Sequence, residues 1–150
     1  MKWKVGVLLT GILVTGGMMK MWTQPRDLGA ENGKLRELPM TPNAVSSQTD
    51  KQSAYVEPLP FVGSEGESIK HLLEVLDEME SIEVMTHEPR YIHAVATTKL
   101  MKFKDDLEFA IREGEDVIHV RSGSRIGYSD GGVNRKRYEK IRARYLEQTK

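Results

Sequence analysis

Asp105, Asp106 and Glu108 lie almost side by side, and Arg121 and Arg125 follow on the next stretch of alternating apolar residues. Side chains alternate across a strand, so Asp106 and Glu108 share one face while Asp105 points to the other. Carboxylates in such a cluster have three chemical uses. A hard cation would need further oxygen ligands from elsewhere in the chain. A zinc site would take His119 and His93 with Glu108. A bidentate bond from a half-buried acid to Arg121 or Arg125 would hold the following loop in place. The third use is the expectation here, with the histidines read as hydrogen-bonded strand residues and no metal expected. Ser122, Ser124 and Ser129 raise a nucleophilic reading, with His119 and Asp106 as base and orienting acid. The string Gly123-Ser124-Arg125-Ile126-Gly127 lacks the G-x-S-x-G spacing of a nucleophile elbow.

The most suggestive physical feature is a helix start. Gly131-Gly132-Val133-Asn134 runs into Arg135-Lys136-Arg137, basic residues where the helix dipole favours acids. Something negative must compensate. Asp130 is the internal candidate, acting as a cap. An external anion bound by helix N–H groups with Arg125 and Arg135 is the alternative. The candidate site therefore comprises Asp105, Asp106, Glu108, Arg121, Ser122, Ser124, Arg125, Ser129, Asp130, Asn134 and Arg135. It is either an anion site or a self-satisfied polar clasp.

These residues need a scaffold to position them. Ser64 and Glu67 form an S-x-x-E capping box, opening a helix with Ile69, Leu72, Leu73, Leu76 and Met79 on one side. Ile82–His87 and Tyr91–Thr98 alternate as strands around the turn Glu88-Pro89-Arg90. A third strand carries Leu107, Phe109 and Ile111 inward. A fourth carries Ile118 and Val120 inward, with His119 and Arg121 facing away. Tyr55–Val62, broken by Pro58 and Pro60, is an edge strand or arm. From Val133 a last helix places Val133, Tyr138, Ile141 and Tyr145 near one side. The expected domain is α+β: helix, four-stranded antiparallel sheet and C-terminal helix, with both helices on one sheet face.

Composition sets outer limits. The chain has 150 residues, with 22 Lys+Arg against 22 Asp+Glu. Balanced charge gives no reason to expect a nucleic-acid partner. Cysteine is absent, which excludes disulfides, thiolate metal sites and cysteine nucleophiles. Lys2 and Lys4 precede an apolar run from Val5 to Met19, closed by Lys20 and Trp22. This is the pattern of an export signal or signal-anchor, with the remainder of the chain outside the cytoplasm. About fifteen residues give roughly 22 Å of helix against about 30 Å of hydrocarbon. Spanning then requires Lys4 and Lys20 to snorkel, with Trp3 and Trp22 at the interfaces. Residues 1–22 are read as a membrane anchor, or as a cleaved signal. Residues 23–53, punctuated by Pro25, Gly29, Gly33, Pro39 and Pro42, are expected to be a flexible linker. Residues 54–150 form the domain.

Five segments then line up in order. They are Asn43-Ala44-Val45-Ser46-Ser47, Glu57-Pro58-Leu59, Asp105 to Phe109, Val120 to Gly127, and the Ser129-Asp130-x-Gly132-x-Asn134-Arg135-x-Arg137 string. Together they resemble the family known as domain of unknown function 1499, over about residues 43–146. Family members usually carry Cys after the first Asn, where this chain has Ala44, which argues against thiol chemistry at that position. The resemblance implies the domain and no activity or cofactor. The expected function is a membrane-anchored, extracytoplasmic structural or binding module, contacting the membrane through residues 5–19. The alternative is a hydrolase-like enzyme or anionic-ligand binder using Asp106, Glu108, Arg121, Arg125 and Arg135.

Overall fold

The structure, a computed structural model, describes residues 27–147. The expected anchor lies outside the described residues. Among those described, no helix is long and apolar enough to cross a membrane.

The described residues form eight strands, two α-helices and a short 3₁₀ turn. The strands are β1 (Ala30–Glu31), β2 (Lys34–Leu35), β3 (Ala44–Ser46), β4 (Leu59–Pro60), β5 (Ile82–Glu88), β6 (Tyr91–Thr97), β7 (Lys104–Ala110) and β8 (Val117–Ser124). Helix α1 spans Glu65–Asp77 and helix α2 spans Val133–Glu147. The four expected strands are present as β5 to β8, joined by short turns into an antiparallel meander. The sheet has six strands rather than four, in the order β3-β8-β7-β6-β5, with β4 also on β8. The two extra strands occupy one edge. β3 runs along Arg121–Gly123 and β4 along Val117–Ile118, so they are the halves of one broken edge strand. At the break, the Ser47 hydroxyl accepts the Val120 N–H at 2.9 Å, replacing a lost ladder carbonyl.

Period-2 alternation decides what each sheet face carries. Ile92, Ala94, Ala96, Leu107, Phe109, Ile118 and Val120 point to one side and join Leu72, Val75 and Leu76 of α1 in the core. Tyr138, Ile141 and Tyr145 of α2 complete the cluster, so both helices cover the same face. Ser64 caps α1 as expected, its hydroxyl accepting from Glu67 N–H while the Glu67 carboxylate accepts from Ser64 N–H. The helices are tied together by His71 Nε2 against the Tyr145 carbonyl at 2.8 Å. Val133 does not join the core; Asn134 takes the buried position at the head of α2.

The opposite face is polar, and it is also buried. The reason corrects the expectation of a flexible linker. From Asp27 onward this segment is built into the fold: β1 and β2 form a hairpin, Leu35 is buried, and Asn43–Ser47 are buried beside β8. Low hydrophobicity misled because the segment is held through its backbone, by polar groups on the sheet. Gly29 N–H donates to Glu108, and Gln48 bridges the Gly33 carbonyl and the Leu35 N–H. Gly33 is required where it stands. Its φ is +77°, and a Cβ there would lie 2.4 Å from Arg112 Cα. Gly33→Ala therefore combines a left-handed cost of about 1–2 kcal/mol with a backbone clash. Limited proteolysis should cut residues 27–38 faster in that variant, with the helical core resisting as before.

Candidate functional site

Two polar networks grow from β7, one on each face of the sheet. On the outer face, Asp106 stands opposite Val95 of β6 and Gly123 of β8. Its two oxygens receive Arg125 Nε at 2.9 Å and Nη2 at 2.8 Å, a bidentate pair, and His93 Nε2 lies 2.8 Å away. Burial pushes the Asp106 carboxyl up, but hydrogen bonds from His93 and Arg125, with the Arg125 charge, outweigh it. The pKa ends below the ordinary value.

Glu108, two positions on, is fully buried. One oxygen accepts Arg121 Nη1 at 2.7 Å; the other accepts the Tyr91 hydroxyl at 2.8 Å and Gly29 N–H at 2.7 Å. Burial and the adjacent Glu108 charge raise the Tyr91 pKa, so the phenol stays protonated as a donor. Arg121 leans on the Glu37 carbonyl through Nη2, while its Nε is buried without a partner among the described residues.

Asp105 faces the helices and is held by Arg137 of α2 at 2.7 Å. Asn134, fully buried, is the hub of this side. Its side-chain oxygen accepts from Ser122 at 2.6 Å and Arg137 at 3.2 Å. Its amide donates to Ser124 at 2.9 Å, Asp130 at 2.8 Å and the Asn43 carbonyl at 3.4 Å. Asn43 in turn donates to the Gly127 carbonyl, closing the loop after β8.

The wrong-sign helix start is compensated from within. The Asp130 carboxylate accepts Gly132 N–H and Asn134 N–H, both at 2.9 Å. Burial alone would raise its pKa, but those two backbone bonds and the Asn134 side chain hold it below the ordinary value. Replacing Asn134 by Ala strands the buried Ser122 hydroxyl and loosens Asp130. Urea unfolding should register a loss of about 2 kcal/mol.

The sequence-derived set separates accordingly. Asp106, Glu108, Arg121 and Arg125 meet on the outer face; Asp105, Ser122, Ser124, Asp130 and Asn134 meet under α2. Ser129 is exposed, its hydroxyl accepting only Gly131 N–H at 3.3 Å. Arg135 faces neither network and donates to the Ser53 and Tyr55 carbonyls, pinning the short 3₁₀ turn Gln52–Ala54. Arg125 and Arg135 thus have separate partners, Arg125 on Asp106 and Arg135 on these two carbonyls. The imagined His119–Asp106 relay is not formed either. His119 instead contacts Glu115 at 2.6 Å and Ser47 at 3.1 Å, and His93 takes the place beside Asp106. Among the described residues no group of three or more His, Asp or Glu side chains is arranged to hold a metal.

Four residues take part that the candidate set did not include. Tyr91 and His93 share parity on β6, but an apolar Val95 on the same parity hid their face. Asn43 and Arg137 sit far from β7 in sequence, and their place in the family segments does not say what they pair with.

Fold and site together define a small α+β domain in which an antiparallel sheet is clasped through charged side chains on both faces. The chain belongs to the family described as Protein of unknown function (DUF1499), whose model matches residues 34–145. The match begins inside the hairpin that covers Glu108 and ends on the last core tyrosine of α2. No curated protein matches the chain.

Proposed function

We propose that the chain is a membrane-tethered, extracytoplasmic structural or binding module whose Asp/Arg/Ser clasp is scaffold rather than active site. One observation carries this reading: Asp106, Glu108, Arg121 and Arg125 pair with one another inside the fold, beneath a hairpin. An enzyme needs its acid, base or electrophile within reach of a substrate. The tether is supported by Lys2 and Lys4 ahead of the apolar run Val5–Met19.

Melting of the full chain in phosphate or sulfate, against chloride at equal ionic strength, tests the clasp. Phosphate and sulfate raise midpoints generally by exclusion from the surface, so the same rise is expected in the parent chain and in its arginine variants. A higher midpoint in phosphate, lost on Arg125→Lys or Arg135→Ala, would show an anion site and overturn the reading. Extraction of membranes with alkaline carbonate tests the tether separately: the full chain is expected to stay with the bilayer.

A second reading, a small-ligand or hydrolase-like site, rests on one feature. Tyr91, backed by Glu108, lines an open hollow of about 650 Å³ together with Asn32, Arg90 and Arg112.

A further inference from the structure

Strand register sets one end of the sheet apart. Thr97 pairs with Lys104, Asp105 with Ser124, and Ala44 with Gly123. The loops 36–43, 98–103 and 125–132 therefore emerge together. Among the described residues, the large apolar side chains left in solvent are Met40, Val84, Met85, Leu100, Met101, Tyr128 and Val133. Val84 and Met85 lie elsewhere, on the edge strand β5, and Met40 lines a hollow with Ser46 and residues 48–51. Leu100, Met101, Tyr128 and Val133 share this end, with Leu100 90% and Tyr128 74% exposed. Isolated exposed apolar residues need no explanation; two neighbouring loop tips do.

We propose that this end of the domain docks on an anionic lipid surface, inserting Leu100 and Met101. The chemistry of the central loop selects that occupant. Thr98–Lys104 reads TKLMKFK, with lysines at 99, 102 and 104 interleaved with Leu100, Met101 and Phe103 and no carboxylate in the stretch. Apolar tips ringed by lysines match the boundary between acyl chains and anionic headgroups. Each lysine near such a surface is worth roughly fivefold in partitioning. Tyr128 adds an aromatic ring with a polar end, suited to the headgroup level.

The loop is also set in advance. Thr98 N–H donates to the Phe103 carbonyl and Thr98 Oγ1 accepts Phe103 N–H, both at 2.9 Å; Lys102 N–H donates to the Thr98 carbonyl at 3.2 Å. Lys102 adopts φ +56° to close this turn. A loop tied to itself presents its apolar tip without an ordering cost on docking. Glu80 and Glu83 share a shallow hollow with Lys99 and Lys102, which limits the basic surface on the β5 side. The lipid contact is therefore centred on the side of Lys104 and Tyr128.

This inference does not depend on the N-terminal segment, and its test reads the loop alone. The chain has no cysteine, so Leu100→Cys accepts a single environment-sensitive fluorophore. The labelled full chain is mixed with phosphatidylcholine vesicles, or with vesicles rich in phosphatidylglycerol. The expected result is a blue shift and quenching by nitroxide lipid in the anionic vesicles only. Both should be lost on Lys99→Glu, Lys102→Glu and Lys104→Glu together. A label placed by Glu113→Cys, at the opposite end of the sheet, should stay in water throughout. A label at position 100 that stays in water on anionic vesicles overturns the inference, even when the chain floats with them through its tether. So does an equal response on phosphatidylcholine.

Discussion

Glu108→Gln should destabilise the domain by about 3–5 kcal/mol, the range seen when one partner of a buried ion pair is removed. The melting midpoint should fall by roughly 10–20 °C in a chain of this size. Glutamine keeps the shape and an oxygen for Tyr91 and Gly29 N–H, so the loss isolates the charge. Arg121 is the reason for the size of the effect. Among the described residues its guanidinium is buried with Glu108 as its sole carboxylate partner, a weak contact to the Glu37 carbonyl and an Nε that already has no partner. Without the carboxylate a positive charge remains away from water. Either the hairpin opens to hydrate it or the fold bears the cost. Differential scanning calorimetry of the two chains measures the outcome.

Asp106→Asn should show a loss of similar size at pH 7, and that loss should shrink in acid. In the folded chain the Asp106 pKa is depressed, whereas an unfolded Asp titrates near about 3.9. A depressed carboxylate contributes stability above its unfolded pKa and loses it as pH falls through the folded value. The gap between wild type and variant should be full at neutral pH, begin to narrow as the pH drops below about 4, and close only as it falls through the folded value. Asp130 is shifted in the same direction and adds to the acid lability of both chains. Urea unfolding at pH 7 and at pH 3 measures the gap. A gap that is the same at both values would mean that Asp106 acts through packing rather than charge.

Much of the frame was legible because simple periodicities governed it. The capping box at Ser64–Glu67 and the apolar stripe of α1 required nothing beyond local sequence, and the alternation in β7 and β8 sorted Asp105 from Asp106 and Glu108. Pairing of those acids with Arg121 and Arg125 followed from parity and charge. The edge of the sheet was not legible. β3 and β4 are short, carry Pro60, and become a strand only because β8 offers an unpaired edge to both. The hairpin from Asp27 was misread for a related reason. Its hold on the sheet runs through backbone groups, Gly33 and a single buried Leu35, none of which leaves a hydrophobic pattern. Arg135 was misassigned because charge at a helix start suggested an anion, while the nearby carbonyls of Ser53 and Tyr55 are contacts between distant parts of the chain. His93 was left open because Val95 shares its parity, and only the position of Arg125 beyond the end of β8 explains why a polar ring is buried there.

The central claim is that the outer-face network is scaffold, and a double-mutant cycle on Glu108 and Arg121 tests it most directly. Urea unfolding of Glu108→Gln, Arg121→Met and the pair gives the coupling. Each single change should cost about 3–5 kcal/mol, and the pair should cost clearly less than their sum, because removing both charges leaves neither one buried alone. Single variants within about 0.5 kcal/mol of the parent chain, the range of ordinary surface substitutions, would contradict the account.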